Sequence, residues 1–212
     1  MLAIAGGKGG CGKTTTTLGL AAALGRARRS VLAADADLDM PDLHLLADVD
    51  ADPNLAAVAR DGAVEDAAHP PPSLSGVDFV PAPRSFGEAV DLPSALSRLG
   101  ANADHVLVDC PAGAGPDAAT PLRIAEHALL VTTLDPACLR DAAKTAAMAR
   151  ALDATVVGCV LVRTTRTPAS VERLLGCPAL TSVPEVVAPV LADESVARAY
   201  DRLASAVLTK HL

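Results

Sequence analysis

A glycine-rich segment near the start of the chain has the residue types and the spacing that hold phosphate groups. Residues 7–14 read Gly-Lys-Gly-Gly-Cys-Gly-Lys-Thr, which fits the pattern G-x-x-x-x-G-K-[ST]. The glycines allow the backbone to curl until several N–H groups point at phosphate oxygens, beside the positive end of the helix that follows. Lys13 would neutralise charge on the β- and γ-phosphates, and the Thr14 hydroxyl would ligate Mg²⁺. The predicted nucleotide-binding residues are Gly9, Gly10, Cys11, Gly12, Lys13, Thr14 and Thr15.

A second lysine, Lys8, lies inside the same loop. A solvated surface lysine is the alternative interpretation. A flexible cation in a phosphate-binding loop already lies close to the charges of a bound triphosphate. The position therefore favours a functional role for Lys8.

Acidic residues follow two of the predicted strands. Asp35 and Asp37 come at the end of one apolar segment, and Asp109 ends the segment His-Val-Leu-Val-Asp. Taken alone, an acid in such a place is more often a helix cap. Ligands bind at the carboxyl ends of strands in open α/β sheets, and an acid in that place next to a phosphate loop is typical of a Mg²⁺-organising carboxylate. We therefore predict that Asp35 and Asp109, together with Thr14, form the metal site.

The elements that must position these residues alternate between short apolar and longer amphipathic segments. Strands are predicted at 2–5, 31–35, 76–81, 105–109, 128–133, 155–162 and 180–183, and helices at 13–24, 50–59, 91–99, 117–126, 135–152, 169–175 and 194–208. Gly25 is predicted to end the first helix. The alternation predicts an α/β fold with a mostly parallel, doubly wound sheet between two layers of helices. With 212 residues, a single domain over 1–212 is expected.

Composition excludes several classes of function. The net charge of −7 argues against a generally basic nucleic-acid-binding surface. Five scattered cysteines without a C-x-x-C pair argue against a zinc or iron–sulfur site within one chain, and we expect buried free thiols. No signal peptide is recognised, and no apolar run reaches the ~20 residues of a membrane span. The expected location is cytoplasmic.

Three motifs together resemble a known family. They are Lys-Gly-Gly-x-Gly-Lys-Thr-Thr in the loop, Asp-x-Asp after the second strand, and Asp-x-Pro-Ala-Gly from Asp109. This set resembles the MinD/ParA group of deviant Walker ATPases and is most similar to its MinD branch. The likeness covers essentially the whole chain, including residues 31–46 and 125–149.

The resemblance implies roles for individual residues. Lys8 resembles the signature lysine that reaches across a nucleotide-sandwiched homodimer to the partner's phosphates. Asp37 would orient or activate the attacking water, Asp109 would hold the Mg²⁺ shell, and Asp35 would support the metal or the water. The implied catalytic residues are Lys8, Lys13 and Asp37, and the implied cofactors are ATP and Mg²⁺.

The sequence departs from the family pattern in one place. Relatives have an asparagine that reads adenine after the strand that ends near Val162, whereas this chain has Val162-Arg163-Thr164. Adenine recognition is therefore less well supported than phosphate binding.

The final helix also bears on membrane binding, because MinD-type relatives end in a membrane-binding amphipathic helix. The apolar stripe of the last predicted helix is Val196, Tyr200, Leu203, Val207 and Leu208. We interpret that stripe as facing the core, so no stable membrane anchor is expected.

The leading functional hypothesis is a slow ATPase switch that dimerises with ATP and recruits an unknown protein partner. A metabolic P-loop enzyme that activates a small substrate with ATP is the chief alternative. An iron–sulfur carrier ATPase is disfavoured by the missing paired cysteines. A DNA-partition ATPase is disfavoured by the acidic balance, although Arg163, Arg166 and Arg173 could form a small basic patch.

Overall fold

Seven strands and eight helices alternate along the part of the chain that the computed structural model describes, residues 1–84 and 89–210. The strands are β1 (Leu2–Ala5), β2 (Val31–Asp35), β3 (Val77–Val80), β4 (His105–Asp109), β5 (His127–Thr132), β6 (Thr155–Val162) and β7 (Ala179–Val183). The helices are α1 (Lys13–Arg26), α2 (Leu43–Ala47), α3 (Leu55–Ala59), α4 (Leu92–Asn102), α5 (Pro116–Ile124), α6 (Pro136–Ala151), α7 (Ala169–Leu175) and α8 (Glu194–Lys210).

All seven strands form one parallel sheet in the order β3-β2-β4-β1-β5-β6-β7. The predicted α/β fold is therefore confirmed. β1 lies in the middle of the sheet, between β4 and β5. Because parallel strands end at the same edge, the loops that follow β1, β2, β4 and β6 meet above one edge of the sheet.

Side chains alternate between the two faces of the sheet, as the period of two in a strand requires. Leu2 and Ile4 of β1 pack in a core with α1 and α8. Ala3 and Ala5 of the same strand belong to the opposite core, to which α3, α4 and α5 contribute. Both faces of the sheet are therefore apolar, and helices cover each of them.

The apolar stripe of α8 faces the core, as predicted. Val196, Leu203 and Val207 are fully buried, and Tyr200 is 1% exposed. The Tyr200 ring fits against Gly19 of α1, where a β-carbon would lie 2.3 Å from Cε2 of the ring. α8 is thereby held against the helix that starts at the phosphate loop. Within the described ranges, no helix combines the length and the apolar character of a membrane span.

Two local predictions were wrong. The helix predicted at 50–59 begins only at Leu55, because the Asn54 side chain accepts a hydrogen bond from the Ala56 N–H at 2.9 Å and so caps the helix there. Gly25 does not end α1, which continues to Arg26. Gly25 is required for close packing instead, since a β-carbon would lie 2.5 Å from the Ser75 carbonyl oxygen. The short helix α2 was not predicted.

Candidate nucleotide site

The predicted phosphate loop has the expected strand–loop–helix context. It leaves the end of β1 and enters α1 at Lys13. Gly10 and Gly12 have φ angles of +74° and +85°, in the left-handed region that favours glycine. These two turns curl the loop, so backbone N–H groups gather at the N-terminus of a 14-residue helix. Such an arrangement binds anions.

One side of the loop is seated on α6. A β-carbon built at Gly7 would lie 2.1 Å from the carbonyl carbon of Asp141, so only glycine fits there. The Cys11 thiol is 2% exposed and lies 3.3 Å from the Cys138 sulfur. Burial, together with Cys138, raises the pKa of Cys11 to about 11. Any contact of Cys11 with a phosphate must therefore come from its backbone N–H.

Backbone hydrogen bonds tie the ends of three neighbouring strands together. The Cys110 N–H donates to the Ile4 carbonyl at 3.1 Å, and the Ala36 N–H donates to the Asp109 carbonyl at 2.9 Å. Beyond the strands, the Gly113 N–H donates to the Gly6 carbonyl at 3.4 Å. The loop after β4 thus lies directly against the phosphate loop.

Asp35 and Asp109 are register partners on β2 and β4, so both carboxylates lie at the same edge of the sheet. Asp109 is 1% exposed and accepts a hydrogen bond from the Thr17 hydroxyl at 3.1 Å. Burial raises the pKa of Asp109 to about 7, against the lowering effects of the Thr14 hydroxyl and Lys13. Asp109 and the Thr14 hydroxyl are therefore neighbours, as a shared Mg²⁺ shell requires.

Asp35 holds the loop that follows β2. Its side chain is fully buried, and its two oxygens accept the N–H groups of Asp37 at 3.0 Å and Leu43 at 3.2 Å. Burial and the nearby Asp109 raise its pKa well above the ordinary value. Both oxygens of Asp35 are engaged by the backbone. Its contacts thus give it a loop-organising role, and its assignment to the metal stays a prediction.

Asp37 lies at the mouth of the site. It is half-buried, and its Oδ1 accepts the Met40 N–H at 3.1 Å. Burial raises its pKa, while the Met40 hydrogen bond and the charge of Lys13 lower it. The carboxylate therefore has a fixed orientation close to the lysine of the loop.

A cavity of about 450 Å³ brings most of the predicted residues together. Its lining consists of Gly9, Gly10, Gly12, Lys13, Thr14, Thr15, Asp37, Met40, Pro41, Asp42, Leu46, Ala112 and Arg163. Glycine N–H groups and the buried Lys13 suit a polyphosphate, and the Thr14 hydroxyl beside Asp109 suits Mg²⁺. Over residues 1–84 and 89–210, no group of three or more His, Cys, Asp or Glu side chains forms a metal cage. Mg²⁺ characteristically binds through one or two protein ligands plus phosphates and water.

Lys8, the other lysine of the loop, lies outside this cavity. Its side chain is exposed, and it is absent from the lining of the cavity. The pKa of Asp141 is lowered, chiefly by its hydrogen bond with Lys144 and in part by the charge of Lys8. In this structure Lys8 is therefore near enough to α6 for its charge to act on Asp141, and it lies outside the cavity that contains Lys13.

Sequence reasoning missed two residues of the site. Thr17 was not singled out, although its hydroxyl contacts both Asp109 and the Lys13 carbonyl at 3.1 Å. Arg163 was noted only as a departure and as part of a basic patch. Its Nη2 donates to the Gly10 carbonyl at 3.0 Å, so it belongs to the nucleotide cavity. The sequence signal that could have identified Arg163 is a cation directly after a strand that ends at the same edge of the sheet as β1.

Comparison with known proteins agrees with this geometry. Residues 2–203 match the family described as the CobQ/CobB/MinD/ParA nucleotide binding domain. An uncharacterised ATP-binding protein of Methanocaldococcus jannaschii is 34% identical over 197 residues, which cover 87% of this chain and 74% of that relative.

Two solved structures are similar over almost their whole length. The cell division ATPase MinD of Pyrococcus furiosus has a TM-score of 0.86 at 31% identity, with 98% of each chain covered. The septum site-determining protein MinD of Pyrococcus horikoshii, solved in complex with Mg-ADP, has a TM-score of 0.87 at 30% identity. That comparison covers 99% of this chain and 96% of the other. The chain therefore belongs to the CobQ/CobB/MinD/ParA family of nucleotide-binding proteins, and its likeness within that family is to the MinD branch.

Proposed function

We propose that this protein is a Mg-ATP-dependent ATPase switch, with residues 1–212 as a single domain. ATP closes two copies into a homodimer, the dimer recruits a protein partner in the cytoplasm, and slow hydrolysis reopens it. Family membership supports nucleotide binding, and the relatives named MinD support the ATPase activity.

The observation that carries the dimer proposal is the separation of two lysines in one loop. Lys13 is 8% exposed and lines the nucleotide cavity. Lys8 is exposed and lies outside that cavity. The cradle thus has its own lysine, and Lys8 is available to the phosphates of a facing subunit.

Repulsion between two facing triphosphates explains why an exposed lysine in the loop would favour dimer closure. Two triphosphates that face each other bring about eight negative charges together, and Mg²⁺ cancels about half of them. One cation from each subunit reduces the remaining repulsion across a symmetric interface. Closure should therefore depend on Lys8 more strongly than binding of the first nucleotide does.

Within one subunit, different residues would bind the phosphates, the metal and the attacking water. Glycine N–H groups and Lys13 would bind the phosphates, Thr15 would extend the cradle, and Thr14 with Asp109 would hold the metal shell. Bound Mg²⁺ supplies charge neutralisation on the triphosphate. Asp37 is oriented by the Met40 N–H, and it would position or activate the attacking water.

Light scattering with ATP and with ADP tests the proposal on the wild type, Lys8→Ala and Asp37→Ala. Lys8→Ala should bind ATP within about threefold of the wild type but remain monomeric and lose most turnover, by ~10-fold or more. Asp37→Ala should accumulate as an ATP-bound dimer, because a group that acts on water contributes to the transition state rather than to ground-state binding. Lys144→Ala is the matched control, since Lys144 is also exposed and also lies beside Asp141.

The opposite pattern would decide against the switch. If Lys8→Ala dimerises with ATP as the wild type does and keeps full turnover, the sandwich-dimer mechanism is wrong for this protein. The metabolic P-loop enzyme then becomes the leading hypothesis.

A further inference from the structure

Arg163 reaches from the end of β6 to the phosphate loop. Its Nη2 lies 3.0 Å from the Gly10 carbonyl oxygen, which accepts the hydrogen bond. The side chain is otherwise exposed and lines the cavity of about 450 Å³. The contact uses one of the five N–H donors that a guanidinium carries. A guanidinium held in this way can donate its other N–H groups to a ligand in the cavity.

The backbone fixes where this side chain starts. Arg163 has a φ of +57°, a left-handed conformation that costs energy for a residue with a β-carbon and is concentrated at functional sites. The preceding Val162 is 6% exposed and packs under the loop, with its Cγ2 3.6 Å from the place of a β-carbon on Gly12. The end of β6 thus packs beneath the phosphate loop, and the chain turns at Arg163 directly after this contact.

The acidic residues around the cavity, together with a bound triphosphate, require a second cation. Asp37 and Asp42 are acids of the lining, and two buried carboxylates lie behind them at the strand ends. Among the described residues that line the cavity, Lys13 and Arg163 are the cations. A triphosphate adds about four negative charges. A planar guanidinium suits phosphate oxygens because it can donate two parallel hydrogen bonds.

We propose that Arg163 is a polyphosphate-binding residue of this site, a second cation supplied by the same subunit as the loop. It anchors on Gly10 and donates hydrogen bonds to the phosphate chain of the nucleotide. The proposal rests on the proposed function only in requiring that the site binds nucleotide, and it does not depend on dimerisation.

Calorimetric titration separates this role from the alternatives. The probes are ATP, ADP, AMP and inorganic tripolyphosphate, each with Mg²⁺, and the proteins are the wild type, Arg163→Gln and Arg163→Lys. Arg166→Gln is the matched control, because Arg166 lies in the same loop, is exposed and is absent from the cavity lining. Unfolding without nucleotide shows whether each variant is folded, and Arg163→Lys keeps the test available if Arg163→Gln is not.

The proposal predicts a loss that grows with the number of phosphates. Arg163→Gln should weaken binding of ATP and tripolyphosphate by about tenfold or more, ADP by less, and AMP by no more than about twofold. Its affinity for ATP should also depend less steeply on salt, because one charge contact is gone. Arg163→Lys should be intermediate, and Arg166→Gln should match the wild type.

Three results would overturn it. An equal loss for ATP, ADP and AMP, with tripolyphosphate binding unchanged, would assign Arg163 to the base or the ribose. A loss with an unchanged salt dependence would show that Arg163 only shapes the loop through Gly10. No loss at all would remove it from the site. The ADP and AMP titrations do not require closure of the dimer, so a failure of the Lys8 experiment leaves the test of Arg163 intact.

Discussion

Gly7 and Asp141 touch through their backbones. A β-carbon on Gly7 would lie 2.1 Å from the carbonyl carbon and 2.5 Å from the carbonyl oxygen of Asp141. Neither of those backbone atoms can rotate away, so the first glycine of the phosphate loop is fixed by α6 rather than by a ligand. Gly9, two residues later, has nothing within 4 Å of the same virtual atom. The loop is therefore anchored at its start and open at its tip.

Gly7→Ala should destabilise the nucleotide-free protein by about 2 kcal/mol or more, because a backbone must shift to admit the methyl group. Gly9→Ala should change the free energy of unfolding by less than ~0.5 kcal/mol. Urea denaturation of the two variants measures both values. Equal stabilities would mean that the contact between the loop and α6 is not maintained in solution.

Lys13→Ala should remove most of the stabilisation that Mg·ATP gives. At about a hundred times its dissociation constant, a ligand specific to the native state adds ~2.7 kcal/mol, or roughly 5–10 °C in the melting temperature of a domain of this size. Lys13 is buried in the cavity lining, so its loss leaves the phosphates without their closest cation. Thermal unfolding with and without Mg·ATP gives the shift. A full shift in the variant would locate the nucleotide elsewhere.

The buried acids predict how the stability of the metal-free protein depends on pH. Burial raises the pKa of Asp109 from 3.8 to about 7 and raises that of Asp35 as well. Between about pH 4 and pH 7 the native state therefore binds more protons at these sites than the unfolded chain does. By linkage, their contribution to the free energy of unfolding falls as the pH rises through this range, and that of Asp109 levels off above about 7.

Asp109→Asn isolates this effect, because the amide keeps an oxygen that can accept the Thr17 hydroxyl and does not titrate. Measured in EDTA without nucleotide, the variant should become progressively more stable relative to the wild type from pH 5 to pH 7. A stability difference that is constant over this range would contradict the raised pKa of Asp109.

Gly19→Ala should lower the stability although alanine is the better helix former. A β-carbon at Gly19 would lie 2.3 Å from the buried Tyr200 ring, and the overpacking should outweigh the ~1 kcal/mol gained in helix propensity. We expect a net loss of about 1–2 kcal/mol by urea denaturation. Gly100→Ala is the control, because its virtual β-carbon meets only the flexible end of Met1 at 3.3 Å. A stabilised Gly19→Ala variant would show that Tyr200 is not held against α1.

The fold followed from the sequence because its signals are local and strong. The short apolar strands, such as β4, and the phosphate loop between β1 and α1 are each defined by neighbouring residues. One of the two errors occurred where a residue distant in the sequence determines the outcome. Gly25 was interpreted as a helix end, but it is needed for contact with the Ser75 carbonyl, 50 positions away in the chain and invisible to periodicity.

The candidate site was predictable in its motifs and less so in its connections. Lys13 lines the cavity and Asp109 lies beside the Thr14 hydroxyl, while their roles stay predictions. Arg163 was missed as a site residue because its contact with Gly10 spans 153 positions and matches no short pattern. The buried Asp35 was predicted as a metal residue, and its hydrogen bonds to backbone N–H groups could not be inferred from an Asp-x-Asp motif.

The central place of β1 affects how the molecule is made on the ribosome. β1 is synthesised before both of its neighbours, since Leu2 pairs with Leu107 on one side and His127 on the other. The phosphate loop thus leaves the ribosome before the neighbouring strands of the sheet are made, and Tyr200, which packs against α1, follows later still. Contacts this distant in sequence form late in folding. A partly synthesised chain therefore has no complete nucleotide site. Nucleotide can stabilise the protein only after most of the domain has emerged from the ribosome.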